Sequence, residues 1–255
     1  MKRLFGFTLA ETLIVMGIIG VVAALTLPNL NSATGDKEKV AKLQKIYSNL
    51  QDAFSRAESV YGPLDEWCAN ISNNDTACIT KVMTRVSDFL KVSKDCGYSG
   101  DTNETGNGCF IVSGNEGFVI SAGYTLILAD GASIKVERGL GTCHNIALSS
   151  ITSDVPEKCV LCEIDVDIDG PNKGSNMPGK DIFSFYITKQ GIVAAGSENE
   201  LTDATLKTNC FSKGGQSPRC TAWILKSGNM DYLKADSNGK CPNNIQLSWS
   251  NTSCK

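Results

Sequence analysis

Cysteines are the residues of this 255-residue chain best suited to chemistry, and all eleven follow residue 67. They are Cys68, Cys78, Cys96, Cys109, Cys143, Cys159, Cys162, Cys210, Cys220, Cys241 and Cys254. Zinc sites usually combine two Cys-x-x-Cys pairs or mix Cys with His. Because the chain has one such pair and one histidine, His144, we predict disulfides and an oxidising compartment.

The connectivity of these disulfides is open. Neighbours such as Cys210 with Cys220, or Cys241 with Cys254, are candidate pairs, but the sequence does not decide between arrangements. The odd count leaves at least one thiol that is free or pairs with another subunit. Cys159 and Cys162 have the spacing of a redox dithiol. They lead into a strand-like run and not into a helix, which favours a structural role.

A second pattern is the acidic run from Asp165 to Gly170, which reads Asp-x-Asp-x-Asp-Gly as in the first half of a calcium loop. The closing acid of such a loop falls six residues after the glycine, where this chain has Asn176. Alternation along a strand would also place the three aspartates together on an outward face. We therefore predict no cofactor and no metal, with calcium as the alternative.

Neither charge nor catalytic residues indicate an enzyme or a nucleic-acid-binding protein. The net charge is −3 and the sequence pI about 5.3, which gives no reason to expect nucleic-acid binding. His144 beside Cys143 could form a nucleophile pair, but a single histidine in a Gly-rich loop is more often a surface residue. We therefore expect that the chain has no catalytic residue and is not an enzyme.

The N-terminus has an apolar run from Phe7 to Leu27 without Lys or Arg. About 20 residues span roughly 30 Å as a helix, the thickness of the hydrocarbon core of a bilayer. Lys2 and Arg3 precede the run, which predicts a cytoplasmic N-terminus and an extracytoplasmic remainder.

A secretory signal peptide and a plain signal anchor are the competing interpretations. A signal peptide needs a cleavage site with small residues after the apolar run, and Ala-x-Ala is missing there. Neither alternative explains Glu11, a carboxylate one turn inside the run. A charge at that depth costs up to a few kcal/mol and is a functional hypothesis by default, unless the side chain reaches the interface.

The segment Lys2 to Val15 reads Lys-Arg-Leu-Phe-Gly-Phe-Thr-Leu-Ala-Glu-Thr-Leu-Ile-Val. A basic leader, then Gly-Phe-Thr-Leu-x-Glu, then an apolar helix resembles the N-terminus of the type IV pilin and type II secretion pseudopilin family. The resemblance implies cleavage after Gly6 by a prepilin peptidase and N-methylation of Phe7. Glu11 matches the glutamate of that family and Pro28 its helix-breaking proline.

Cleavage at Gly6 would create an ammonium on Phe7, about one turn from Glu11. The hypothesis is that Glu11 pairs with the Phe7 amine of a neighbouring subunit, which offsets the cost of placing a carboxylate in lipid. Gly17, Gly20 and Ala23 would allow close helix approach. The implied partners are other pilin subunits, the prepilin peptidase and an inner-membrane assembly platform.

Beyond Pro28 the chain predicts an amphipathic helix that ends at Gly62 and Pro63. A helix is expected over 79–93 and a loop over 94–109. Asp130-Gly131 between apolar runs indicates a β-hairpin. Strands are predicted at 118–120, 125–128, 133–136, 160–168, 182–188, 192–195 and 222–225.

The predicted fold class is α+β, a long N-terminal helix packed on an antiparallel sheet with disulfide-tied C-terminal loops. We expect a leader at 1–6, a transmembrane and assembly helix at 7–27, its amphipathic continuation at 28–61 and an extracytoplasmic domain at 62–255. The function expected from the resemblance is that of a pilus-like filament subunit, single-pass in the inner membrane and then on the cell surface. The alternatives are a pseudopilin or tip subunit, and a non-polymerising membrane-anchored binding or redox domain.

Overall fold

The structure is a computed structural model that describes residues 9–68, 76–99, 108–113, 122–137, 160–188, 191–198, 200–211 and 217–255. Within these ranges, side chains are described except at 23–34, 65, 99, 137, 160–162 and 218. The chain divides into two compact units, Met1–Lys39 and Val40–Lys255. Each unit is described separately below.

Helix α1 covers Leu9–Tyr61. In the second unit its buried residues recur every three or four positions, as a helix with one face on a core requires. They are Val40, Leu43, Ile46, Leu50, Ala53, Phe54 and Ala57, all at most 6% exposed. The helix ends where the sequence predicts, because Gly62 takes φ +84° and its N–H donates to the Glu58 carbonyl at 2.9 Å.

Helix α2 (Thr76–Ser87) follows and is shorter than the predicted 79–93. The chain turns at residues 88–91 and enters strand β1 (Val92–Ser99). The prediction of a loop from residue 94 is therefore wrong as far as Ser99. Side chains of β1 are mostly polar because it is an edge strand, held to its neighbour through backbone hydrogen bonds.

In the described part of the chain, six antiparallel strands form one sheet in sequence order, β1 to β6. After β1 come β2 (Gly123–Leu128), β3 (Ser133–Glu137), β4 (Val160–Asp167), β5 (Ile182–Thr188) and β6 (Gly191–Ala194). The Asp130-Gly131 hairpin between β2 and β3 is confirmed, and the strands predicted at 160–168, 182–188 and 192–195 are present. The candidate at 118–120 lies outside the described residues.

One face of the sheet is apolar and shares a core with α1 and α2. The Tyr47 ring stacks on Phe185 with centroids 5.5 Å apart. Phe185 lies opposite Ile164, which lies opposite Val136, so these residues point to the same face. The α+β class with an antiparallel sheet is confirmed.

The other face is covered by the segment at 108–113 and by the C-terminal region. That region contains α3 (Asp203–Leu206), a π-helical turn (Lys207–Phe211) and α4 (Thr221–Ser227). The strand predicted at 222–225 is wrong, because the run lies in α4. Trp223 is fully buried there and meets Phe211 edge-to-face, with ring centroids 5.2 Å apart.

Four disulfides tie the described part of the second unit. They join Cys68 to Cys78, Cys96 to Cys109, Cys210 to Cys220, and Cys241 to Cys254. The prediction of disulfides is confirmed for these eight residues, as are both candidate pairs. Cys143 and Cys159, His144 and the side chain of Cys162 lie outside the described residues.

Candidate assembly segment and buried polar sites

The first described turns of α1 are apolar on every side. Every large apolar side chain from Leu9 to Val22 is at least 53% exposed. They are Leu9, Leu13, Ile14, Val15, Met16, Ile18, Ile19, Val21 and Val22. A helix that is hydrophobic all round normally lies in a protein core or a membrane, so this surface requires a cover.

Glu11 lies in the first turn of α1. Next to it the Thr12 hydroxyl donates to the Leu9 carbonyl at 2.8 Å. Gly6 and Phe7 lie outside the described residues, and so does the side chain of Pro28, although α1 includes its backbone. The structure therefore brings Glu11 together with the exposed apolar surface, and cleavage and methylation stay predictions.

Within the part of the chain whose side chains are described, no helix offers a stretch long and apolar enough to cross a bilayer. Phe7, Thr8 and the side chains of residues 23–27 lie outside that part. The transmembrane assignment of residues 7–27 stays a prediction.

A second feature, which we call the acidic turn (residues 167–181), links β4 to β5. Asp167 is fully buried and its Oδ1 accepts the backbone N–H groups of Asp169 and Gly170 at 3.2 and 3.0 Å. Asp181 is fully buried and accepts hydrogen bonds from the N–H and the hydroxyl of Ser175. Backbone and hydroxyl groups of the turn thus supply donors to its own carboxylates.

Asp169, the third acid of the sequence motif, accepts a hydrogen bond from Lys42 at 2.8 Å. Asn176, at the position of a closing calcium ligand, has φ +49° and donates from Nδ2 to the Pro171 carbonyl at 2.9 Å. Among the described residues, no group of three or more His, Cys, Asp or Glu side chains is placed to hold a metal ion. The carboxylates of Asp167 and Asp169 therefore accept hydrogen bonds from backbone N–H groups and from a lysine. A calcium ion would need the same carboxylate oxygens as ligands.

Burial raises the pKa of Asp167 to about 7, and the negative charges of Asp181 and Asp169 act in the same direction. The two backbone N–H donors act against this shift without cancelling it. The Asp167 Oδ2 atom is buried and has no hydrogen-bond partner among the described residues. Near neutral pH this carboxyl is thus divided between its protonated and ionised forms.

A third feature is a line of polar side chains across the covered face of the sheet. Thr125 of β2 lies opposite Lys135 of β3, Lys135 opposite Asp165 of β4, and Asp165 opposite Ser184 of β5. All four are at most 2% exposed. We call this line the cross-strand polar row.

The cross-strand polar row corrects one prediction. Asp165 and Asp167 do share a face of β4, but both are buried and not outward, because the segment at 108–113 and the start of α4 cover that face. Phe110 lies over Lys135, with its ring centroid 5.9 Å from Nζ. The Thr221 hydroxyl accepts the Ser184 N–H at 3.1 Å.

Sequence reasoning missed Lys135, Ser184 and Asp181. A lysine between Ile134 and Val136 normally indicates a strand with one solvated face. The Asp130-Gly131 hairpin sets the β2–β3 register and could have paired Thr125 with Lys135. The β3–β4 pairing could not be found in that way, because residues 138–159 separate the two strands.

No protein-family model, curated protein or solved structure matches this chain.

Proposed function

We propose that the chain is a subunit of a type IV pilus-like filament, cleaved after Gly6, methylated at Phe7 and assembled through the N-terminal part of α1. The observation that carries this proposal is the all-round apolar surface from Leu9 to Val22 around Glu11. Residues 7–27 lie in the inner membrane before assembly, and equivalent segments of neighbouring subunits cover one another in the filament.

Physical chemistry supports this role for Glu11. A carboxylate among exposed apolar side chains costs free energy when the surface enters lipid or a helix bundle. An ammonium from another subunit offsets that cost, since two opposite charges attract strongly where water is excluded. Because the cost is recovered only when the two charges meet, the pair favours one axial register between subunits.

The globular unit suits a secreted subunit. The described disulfides tie its loops, as is common in proteins of oxidising compartments. A pilin-like arrangement, in which the C-terminal part of α1 lies on the sheet, belongs to the same proposal. A type II secretion pseudopilin or a tip subunit uses the same segment and is the second candidate.

Glu11 variants test the proposal in a bacterium that has type IV pilus machinery but lacks its own major pilin. The full-length chain is expressed and sheared surface filaments are quantified by immunoblot. Glu11→Ala should lower filament yield more than about tenfold, which corresponds to a loss of about 1.4 kcal/mol in the free energy of subunit assembly. The amount of the chain in the membrane should stay unchanged. Glu11→Asp should restore part of the yield because it keeps the charge.

Gln51→Ala is the matched control, because Gln51 is an exposed polar residue of the same helix in the globular unit. It should leave filament yield unchanged. Wild-type yield from Glu11→Ala would refute the role of Glu11. A wild-type chain that is absent from the filament fraction and present in the membrane would support the non-polymerising, membrane-anchored alternative.

A further inference from the structure

The segment at 108–113, which we call the strap, lies across the polar face of the sheet and covers part of it. The Phe110 ring is fully buried and lies over Lys135, with its centroid 5.9 Å from Nζ. The Ser133 hydroxyl of the same strand donates a hydrogen bond to the Cys109 carbonyl. Since Lys135 is only 2% exposed, the strap is one of the elements that keep this amine away from bulk water.

A covalent bond ties the strap to the edge of the sheet. Cys109 of the strap forms a disulfide with Cys96 of the edge strand β1. Cys96 is partly exposed, whereas Cys109 is buried, so the bond is open to solvent from the side of Cys96. At the far end of the strap, the Ser113 N–H donates to the Asn176 carbonyl at 2.7 Å.

The disulfide is the strongest of these attachments. Fixing the backbone of the six strap residues costs conformational entropy, and this cost is large beside the gain from one buried ring or one neutral hydrogen bond. A disulfide reduces the cost, because it limits the conformations that a detached strap can adopt. The strap should therefore stay closed only while the disulfide is intact.

We propose that the Cys96–Cys109 disulfide is a redox-dependent latch, and that its reduction by a dithiol opens the strap and exposes Lys135. In an oxidising compartment the latch forms and this part of the polar face is closed. Before oxidation, or in the presence of a dithiol, the same face is open. The latch thus couples exposure of a buried amine to the redox state of the surroundings. The inference is independent of the proposed function, since it concerns only the second unit.

The opening reaction is a thiol–disulfide exchange that transfers two electrons from the dithiol to the protein. A thiolate of the dithiol attacks Sγ of Cys96, the partly exposed side of the bond, and Cys109 leaves as a thiolate. The second thiol of the reductant attacks the mixed disulfide, which releases Cys96 and leaves the reductant as a cyclic disulfide. The two protons of the dithiol pass to the two cysteine thiolates, so two thiols form for each dithiol oxidised.

Mass spectrometry of the purified full-length chain tests the latch, because one peptide carries all the reporter groups. Cleavage at arginine gives the peptide 86–138, which contains both latch cysteines, Lys135, and the exposed lysines Lys91 and Lys94. The folded protein is treated briefly with dithiothreitol, then with iodoacetamide and an amine-acetylating reagent. After unfolding and complete reduction, isotope-labelled iodoacetamide marks the cysteines that had stayed bonded.

Acetylation of Lys135 should depend on the state of the latch in the same peptide. It should be more than about tenfold more frequent where both latch cysteines were alkylated in the folded protein, since labelling of a buried group follows the population of the open form. Lys91 and Lys94 should be acetylated equally in both populations of peptide. Equal acetylation of Lys135 in the two populations would overturn the proposal.

The Cys210–Cys220 disulfide serves as the internal control for unfolding. Both of its cysteines are fully buried, so this bond should stay intact while the latch is reduced. If the latch resisted reduction until Cys210 and Cys220 were reduced as well, opening would require unfolding of the whole unit. That result would also overturn the proposal.

A variant without the latch tests the same claim without a reductant. Cys96→Ser/Cys109→Ser should allow acetylation of Lys135 at the level of the reduced wild type. The matched control, Cys241→Ser/Cys254→Ser, removes a disulfide of the same sequence separation, 13, and should keep Lys135 protected. Protection of Lys135 in the first variant, or equal acetylation in both variants, would refute the latch. If the first variant does not fold, the measurement on the wild-type protein decides.

Discussion

Lys42 of α1 lies 2.8 Å from Asp169 of the acidic turn, Nζ to Oδ1. One helical turn later Lys45 lies 2.8 Å from Asp130 of the β2–β3 turn. The two ion pairs join one helix to two neighbouring turns at the same end of the sheet. Among the motif aspartates, Asp169 thus binds the helix while Asp167 accepts amides of its own turn.

The Lys42–Asp169 pair should contribute little to stability. Its side chains are 40% and 15% exposed, and partly exposed pairs usually contribute below about 1 kcal/mol. A double-mutant cycle with Lys42→Ala and Asp169→Ala should give a coupling free energy of about 0.5 kcal/mol by urea unfolding. At about 1 M salt, where charges are screened beyond roughly 3 Å, the coupling should shrink. A coupling above about 2 kcal/mol that salt does not change would contradict this assignment.

Asp167 should make the protein less stable as pH rises through the acid range. Its pKa is raised to about 7 in the folded state, against about 3.9 for an unfolded aspartate. Between these values the folded state binds more protons, so the free energy of unfolding falls with rising pH by at most about 1.4 kcal/mol per unit. Above about pH 7 Asp167 is ionised in both the folded and the unfolded state, so its contribution to the pH dependence of stability should end.

Asp167→Asn isolates this effect, because an amide oxygen still accepts the two backbone N–H groups but does not titrate. The stability of the variant relative to the wild type should increase from pH 4 to pH 7 and then level off. Asp236→Asn, at an exposed aspartate, is the control for loss of a carboxylate. A stability difference for Asp167→Asn that is the same at every pH would contradict the raised pKa.

Gly196 should tolerate no side chain. It has φ +80°, and a Cβ atom there would lie 1.7 Å from the carbonyl oxygen of Arg219. Its N–H also donates to Glu200 Oε2 at 2.6 Å, so the backbone cannot shift without loss of a buried bond. Gly196→Ala should lower the free energy of unfolding by about 3 kcal/mol, as for an overpacked core.

Gly131→Ala is the matched control for Gly196→Ala. Gly131 has φ +92° but no atom of the described residues within 4 Å of a Cβ atom, so the substitution carries only the backbone cost of about 1–2 kcal/mol. Thermal or urea unfolding measures both. Equal losses in the two variants would show that the close approach to Arg219 does not limit position 196.

Local signals predicted the parts of the fold that depend on neighbouring residues. Asp130-Gly131 indicated the β2–β3 hairpin and Gly62 the end of α1, whereas Cys210 with Cys220 was only one candidate pair among open arrangements. Each of these features is decided by backbone conformation or short sequence separation. The apolar stripe of α1 from Val40 to Ala57 was found by helical periodicity for the same reason.

Features that depend on distant packing could not be predicted. Strand β1 is polar because it lies at an edge, so it lacks the alternation that marks a strand. The run 222–225 is apolar but helical, since a helix starts at Thr221 and packs Trp223 inward. Asp165 was expected to face outward because nothing in its strand shows that a further layer covers that side. Of the expected assembly residues, Glu11 is described and Pro28 only in its backbone, whereas the expected processing residues Gly6 and Phe7 lie outside the described residues.

The central claim is that this chain is processed and assembled through its N-terminus, and the N-terminal peptide of the membrane-bound protein tests it most directly. In cells with an active prepilin peptidase, mass spectrometry should find a chain that begins at Phe7 and carries one added methyl group. A chain that still begins at Met1 in those cells would contradict the account and leave a membrane-tethered domain that does not enter a filament.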